Sequence, residues 1–226
     1  MTVCYAPCPV IFDLDGTLID SAPDIHAAIN AVLRDEGVRP LTLDQVRGFI
    51  GGGVELLWHR IIAATGLPQD RYRDLLAAFM ARYRRSTSLT RLYPGVLEAL
   101  NVLADRGHPM GICTNKPADP TEAVLGAMGI AEFFAVIIAG DSLPQRKPDP
   151  APLRAALLAL GAAPENPRAL YVGDSEVDAE TAADVPVPLM LYTGGYRHTP
   201  VEQLPHRVAF DDFSALPALI EQIVTG

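Results

Sequence analysis

Val10 to Ser21 reads VIFDLDGTLIDS, and its first half decides the fold. Three apolar residues, Val10, Ile11 and Phe12, run without alternation into Asp13. A short unbroken apolar run that stops at polar residues suits a parallel strand buried on both faces. The design recurs. Met110 to Cys113 ends at Thr114-Asn115, and Val136 to Ala139 at Gly140-Asp141. Ala169 to Val172 ends at Gly173-Asp174, and Leu189 to Tyr192 at Thr193-Gly194. Helical spacing fills the gaps, over Val96 to Arg106, Thr121 to Met128, Leu153 to Leu160 and Val177 to Ala183. Alternating strand and helix predicts an α/β fold with a Rossmann-like parallel sheet covered on both faces. Ligands of such sheets collect beyond the carboxyl ends of the strands. That is where the polar residues of this chain fall.

One stretch breaks the alternation. From Ser21 to Ser88 the pattern is wholly helical. Ile25, Ala28, Ile29, Val32 and Leu33 follow helical spacing, as do Val54, Leu57, Trp58, Ile61 and Ile62. Tyr72, Leu75, Leu76, Phe79, Met80 and Tyr83 repeat it. Ser21-x-x-Asp24 reads as a capping box, with Pro23 in the first turn and Gly37 as the stop. The expected organisation is a discontinuous α/β core, 1–20 with 89–226, and an inserted helical cap, 21–88. The chain returns to the sheet near Tyr93-Pro94-Gly95.

Composition narrows the function. The 226 residues carry 27 acidic against 18 basic side chains, a net charge of -9, and the pI is near 4.9. Nucleic acid needs a basic footprint, so it is not an expected partner. No apolar run reaches the roughly 18 residues a membrane span requires, and MTVCYAPCPVIFD lacks the basic start and apolar core of a secretory signal. Three cysteines, Cys4, Cys8 and Cys113, with nothing to complete a zinc site, fit a reducing cytoplasm.

Four segments carry chemistry. Asp13 and Asp15 stand two apart at a strand end, so both can face one crevice. Paired carboxylates there favour sharing a proton or binding a cation. Gly16 permits a sharp turn that brings N–H groups to an anion. Taken alone, Asp15-Gly16 is also an ordinary surface turn. Thr114-Asn115-Lys116-Pro117 follows a strand and opens a helix, which makes either an anion site or a plain helix cap. Lys147, in Arg146-Lys147-Pro148-Asp149-Pro150, precedes a helix. A cation there opposes the helix dipole and needs an anionic partner unless it points to solvent. Gly173-Asp174-Ser175-Glu176-Val177-Asp178 places two carboxylates one helical turn apart, as hard ligands for magnesium or as a cap.

In order and placement these segments resemble the haloacid dehalogenase superfamily of phosphatases. DLDGT resembles its first motif, Thr114 its second, Lys147 its third and GDSxxD its fourth. FDLDGTLIDSAPDI and YVGDSEVDAE look especially like bacterial phosphoglycolate phosphatases. The resemblance implies a small phosphorylated substrate, 2-phosphoglycolate foremost. It leaves pyrophosphate, a sugar phosphate or a phosphosugar mutase reaction as alternatives. It implies that Asp13 attacks phosphorus and that Asp15 protonates the leaving oxygen and then activates water. Mg2+ would sit on the Asp13 carboxylate, the Asp15 carbonyl and Asp174. Thr114, the Asn115 N–H, Lys147 and the Gly16 turn would hold the phosphoryl oxygens, with Asp178 orienting Lys147. Arg47 and the glycines Gly51, Gly52 and Gly53, in the cap, would read the other end of the substrate. One departure stands out: relatives end the fourth motif in Ala-Ala-Gly, and this chain has Ala182-Ala183-Asp184. If that glycine is a left-handed helix stop, Asp184 is strained there.

Competing chemistries lack their residues. A cysteine phosphatase needs Arg six places after its cysteine, and those places hold Val10, Leu14 and Asp119. There is no Gly-Lys dipeptide, HExxH, GxSxG or CxxC. Arg71, Arg73, Arg82, Arg84 and Arg85 read as a solvated helix face. His26 reads as a cap surface residue, Cys113 as strand packing, and Trp58, Tyr72 and Tyr83 as cap core.

Overall fold

The computed structural model describes residues 7–163 and 168–225; Cys4 lies outside them. Six parallel strands form the main sheet. They are β1 (Val10–Phe12), β4 (Met110–Cys113), β5 (Phe134–Ile138), β6 (Leu170–Gly173), β7 (Leu189–Tyr192) and β8 (Val208–Phe210), in the order β5-β4-β1-β6-β7-β8. Two short antiparallel strands, β2 (Ile19–Asp20) and β3 (Arg91–Leu92), form a separate ribbon that carries the chain into the helical insertion and out of it. The chain leaves β1 toward β4 and β5 on one side and returns to β6, β7 and β8 on the other. β1 is therefore the topological switch, and its carboxyl end opens on a crevice.

The unbroken apolar runs are explained by packing on two faces. Val10 and Phe12 enter one core, under α5 (Val96–Asp105), α6 (Ala118–Ala127) and α9 (Leu216–Thr225). Ile11 enters the other, under α7 (Ala151–Ala159) and α8 (Glu176–Ala183). All three β1 side chains are fully buried. The five strands read from the sequence are present, some shifted at their ends by a residue or two. β8, α9 and the β2/β3 ribbon were not foreseen, because each is short or terminal and lacks a bounded apolar run.

The insertion contains α1 (Ala22–Asp35), α2 (Leu43–Arg47), α3 (Gly53–Thr65) and α4 (Tyr72–Tyr83). It has its own core, with Trp58 set edge-on to Phe79 at 5.8 Å. Among the described residues no helix is long and apolar enough to cross a membrane.

Two local expectations are corrected. The Ser21/Asp24 capping box does not form, because Ser21 has helical dihedrals and makes no side-chain cap. Its hydroxyl instead donates to Asp15. Asp24, fully buried, accepts from Ser86 Oγ and from the N–H groups of Leu89 and Thr90, so it ties α1 to the segment leaving the cap. Asp184 carries no left-handed strain: its φ is -89°. The helix ends there in ordinary right-handed geometry, which any residue adopts.

Candidate active site

Four side chains converge on the crevice because each follows a strand of the sheet. Asp13 lies just past β1, with its N–H bonded to the Val172 carbonyl of β6. Thr114 follows β4 and Asp174 follows β6. Lys147 arrives on the loop between β5 and α7 and is held by Asn115. The Asn115 side chain accepts from Lys147 N at 3.0 Å and donates to Lys147 O at 2.9 Å. Gly16 makes the turn beneath, at φ +90°, where a Cβ would fall 2.5 Å from Asp174 Oδ2. Only glycine fits both the dihedral and the space.

Lys147 is buried with its ammonium 2.8 Å from Asp13 Oδ1 and 2.8 Å from Asp178 Oδ1. It also donates to Tyr171 OH at 3.0 Å. Asp178 is saturated. Oδ1 accepts from Lys147 and Tyr171, and Oδ2 from Ser175 Oγ and the N–H groups of Asp174 and Ser175. Burial alone would raise the Asp178 pKa, but Lys147 and these donors outweigh it and hold it below the usual range. Asp13 has no such support. Its Oδ1 is at ion-pair distance from Lys147 yet makes no well-formed hydrogen bond. Burial, the dominant cause, pushes its pKa up to about 7, with repulsion from Asp178 adding to the rise and Lys147 opposing it. Asp174 is raised well above the carboxylate range, first by burial and then by repulsion from Asp178 and Asp13.

These carboxylates suit a divalent cation. One oxygen from each of Asp13, Asp174 and Asp178 lies within 4.8 Å of the others, all three buried. Asp13 and Asp174 are destabilised as anions where they stand, and a hard cation would relieve both. Asp178, with both oxygens bonded, belongs outside the direct ligands. Asp174 is aimed by Thr17 Oγ1 at 2.8 Å and by the Tyr196 N–H at 2.7 Å. Tyr196 OH accepts from Ser21 N and Ala22 N and donates to Asp20. One residue thus touches the Asp174 carboxylate and the first turn of α1.

The cap closes over this floor. Asp13, Asp15, Thr114 and Asn115 line a small cavity together with Gly51 and Gly53, and Gly52 borders the adjoining opening. Asn115 Nδ2 donates to the Gly51 carbonyl at 3.1 Å. Glu55 of α3 forms a bidentate pair with Arg146, beside Lys147, and is lowered in pKa because that pairing overcomes its burial. Arg47 is not brought to the cavity. Its guanidinium instead bonds Asp20, an acidic residue on the ribbon, at 3.0 Å.

Three residues were missed from the sequence. Lys116, buried, bonds Asp15 at 2.9 and 3.2 Å and also donates to Tyr83 OH. Its signal was present, as the basic member of the Thr114–Pro117 turn. Tyr83 belongs to the cap core as expected, but it also lines the cavity and its hydroxyl accepts from Lys116. Tyr196 gave no signal beyond its place in a loop after a strand. His26 bonds the Leu41 carbonyl and Asn30 inside the cap, and Cys113 is a buried free thiol. Arg71, Arg82 and Arg84 make exposed ion pairs.

The arrangement has counterparts in known proteins. Residues 10–191 match the haloacid dehalogenase-like hydrolase family. The chain belongs to that family. It is 49% identical over 218 residues to a phosphoglycolate phosphatase of Cereibacter sphaeroides, across 95% of this chain and 98% of that one. A phosphoglycolate phosphatase of Rhodospirillum rubrum is 42% identical across 93% and 89%. The crystal structure of a predicted phosphoglycolate phosphatase from Haemophilus somnus superposes with a TM-score of 0.87 at 31% identity, across 97% of this chain and 99% of that one. The protein is a phosphoric monoester hydrolase of this family, related to the bacterial phosphoglycolate phosphatases.

Proposed function

We propose that the enzyme hydrolyses 2-phosphoglycolate to glycolate and phosphate with Mg2+ as cofactor. The observation that carries this is a buried Asp13 between Lys147 and Asp174, with Asp15 at hand, at a cavity that the cap helps to line. The strong similarity to named phosphoglycolate phosphatases supports the choice of substrate.

The Asp13 carboxylate attacks phosphorus, and the bond to the ester oxygen breaks. Asp15 gives its proton to the departing alkoxide. Asp15 then takes a proton from water as that water attacks the aspartyl phosphate, and the Asp13–phosphorus bond breaks to restore the carboxylate. This is covalent catalysis with one acid/base group serving both halves. Ser21 Oγ and Lys116 hold the Asp15 side chain in place. Lys147, Thr114, the Asn115 N–H and the Gly16 turn meet the phosphoryl oxygens, where preorganised donors act most strongly. Asp178 positions Lys147. The Asp13 and Asp174 carboxylates and the Asp15 carbonyl would hold the cation, which supplies charge neutralisation during phosphoryl transfer. Gly51 to Gly53 border the end of the substrate away from phosphorus. The same reading divides the chain into a core, 1–20 with 89–226, and a cap, 21–88.

The test is magnesium-dependent phosphate release from 2-phosphoglycolate, pyrophosphate and a set of sugar phosphates. The expected result is a clear preference for 2-phosphoglycolate, abolished in Asp13→Asn. A preference for pyrophosphate overturns the substrate, and turnover surviving in Asp13→Asn overturns the mechanism.

A further inference from the structure

Lys116 is an expensive residue to keep. Its side chain is 3% exposed, and an ammonium in such a place needs compensation. Asp15 supplies some, and the positive charge lies 4.7 Å from the centre of the Tyr83 ring. Orienting Asp15 does not by itself require a lysine, because Ser21 Oγ already donates to the same carboxylate. The surroundings show what else the charge faces. Lys116 lines the cavity above Asp13, and among the described residues lining it no other is a cation. Much of the remaining wall is apolar: Ile25, Ile50, Val54 and Leu57. Gly51 and Gly53 bring the start of α3 to the same space, and that helix has no side-chain cap on its first N–H groups.

Such a wall discriminates. A sugar brings hydroxyls that need partners, and aliphatic side chains offer none, so each buried hydroxyl is penalised. A short ester with a second anion brings one compact charge. An ammonium and a helix start without a side-chain cap are suited to it. The neighbouring opening has a cation of its own, Arg60, but Asp174, Glu176 and Glu180 line the same opening and Arg60 is bonded to the Phe49 carbonyl. That mixture does not favour an anion. We infer that Lys116, steadied by Tyr83, is the specificity residue that pairs with a carboxylate of the substrate one carbon from the ester oxygen. The inference rests on the proposed phosphatase function and assigns the group that reads the carboxylate.

The experiment compares kcat/KM for 2-phosphoglycolate with that for ethyl phosphate, which has the same length and a methyl in place of the carboxylate. The wild type is expected to prefer 2-phosphoglycolate strongly. Lys116→Met is expected to lose roughly 10- to 150-fold more on 2-phosphoglycolate than on ethyl phosphate, the span of one charged hydrogen bond. Arg60→Met is expected to retain the preference. Lys116→Gln replaces the Met variant should that one not fold. Equal losses on both esters overturn the inference and leave Lys116 as a positioning residue for Asp15. Loss of the preference in Arg60→Met also overturns it. So does a wild type without preference, which needs no variant. Failure of the underlying reading looks different: no magnesium-dependent phosphate release from either ester.

Discussion

Asp13→Asn is expected to stabilise the metal-free protein while removing its nucleophile. Asp13 rises from an ordinary 3.8 to about 7 because it is buried, with Asp178 nearby and Lys147 shared between the two. A carboxyl raised in the folded state holds its proton more tightly there than in the unfolded chain. Stability therefore falls as pH climbs from about 4 to about 7, at roughly 1.4 kcal/mol per pH unit, and then levels off. Asparagine mimics the neutral acid and escapes the loss. Its advantage over the wild type is about 2 kcal/mol at pH 5 and about 4 kcal/mol at pH 8. For a chain of this size, 4 kcal/mol corresponds to roughly 10 °C in Tm. Urea unfolding followed by circular dichroism, with chelator present and at several pH values, measures the gap. Magnesium should narrow it, because the cation stabilises the wild type by mass action. An Asp13→Asn protein no more stable than wild type at pH 8, or a gap that ignores pH, refutes the electrostatic account.

Two further outcomes follow from the same geometry. Protons and the cation compete for Asp13 and Asp174, both raised. The magnesium midpoint measured by calorimetry should thus weaken up to tenfold or more for each pH unit below about 7, and a midpoint constant from pH 5.5 to 7 contradicts this. Tyr196→Phe deletes the hydroxyl that meets Ser21, Ala22 and Asp20 but keeps the N–H on Asp174. Stability should drop by about 1–2 kcal/mol with the magnesium midpoint within about twofold, and a tenfold shift in that midpoint means the two roles are not separable.

What could be read in advance was what local pattern encodes. Val10-Ile11-Phe12 announced a two-sided strand, and the residues at strand ends announced the crevice, because a parallel sheet aligns those ends. Ile25 to Leu33 and Val54 to Ile62 announced helices through spacing alone. The failures were matters of partner choice. Ser21 and Asp24 have the sequence of a capping box, yet Asp15 and the Leu89–Thr90 backbone won both side chains. Arg47 has the charge for a substrate end, yet its guanidinium is bonded to Asp20. Tyr83 was legible as an apolar position, but a phenol has two ends, and spacing reports only the ring. Residues far apart in sequence, such as Thr17 and Asp174, become partners only once the sheet is assembled.

The turn from Thr114 to Lys116 shows how one short segment joins chemistry to closure. Thr114 faces the cavity beside Asp13. Asn115 clasps both backbone groups of Lys147 and the Gly51 carbonyl of the cap. Lys116 reaches Asp15 in the core and Tyr83 in the cap. The cap has an apolar cluster separate from the two clusters around the sheet. Contacts that fasten it over the cavity include polar ones: these, the Glu55–Arg146, Arg47–Asp20 and Arg84–Asp119 pairs, the His198–Gly48 bond and the Tyr196 hydroxyl on Ser21 and Ala22. Polar contacts of this kind exchange readily with water and contribute about 1 kcal/mol each, somewhat more when charged. A cap held so can be released without unfolding either core. In this arrangement Asn115 clasps Lys147 and Lys116 pairs Asp15. The seating of the cap and the placement of the nucleophile's neighbours thus depend on the same few hydrogen bonds.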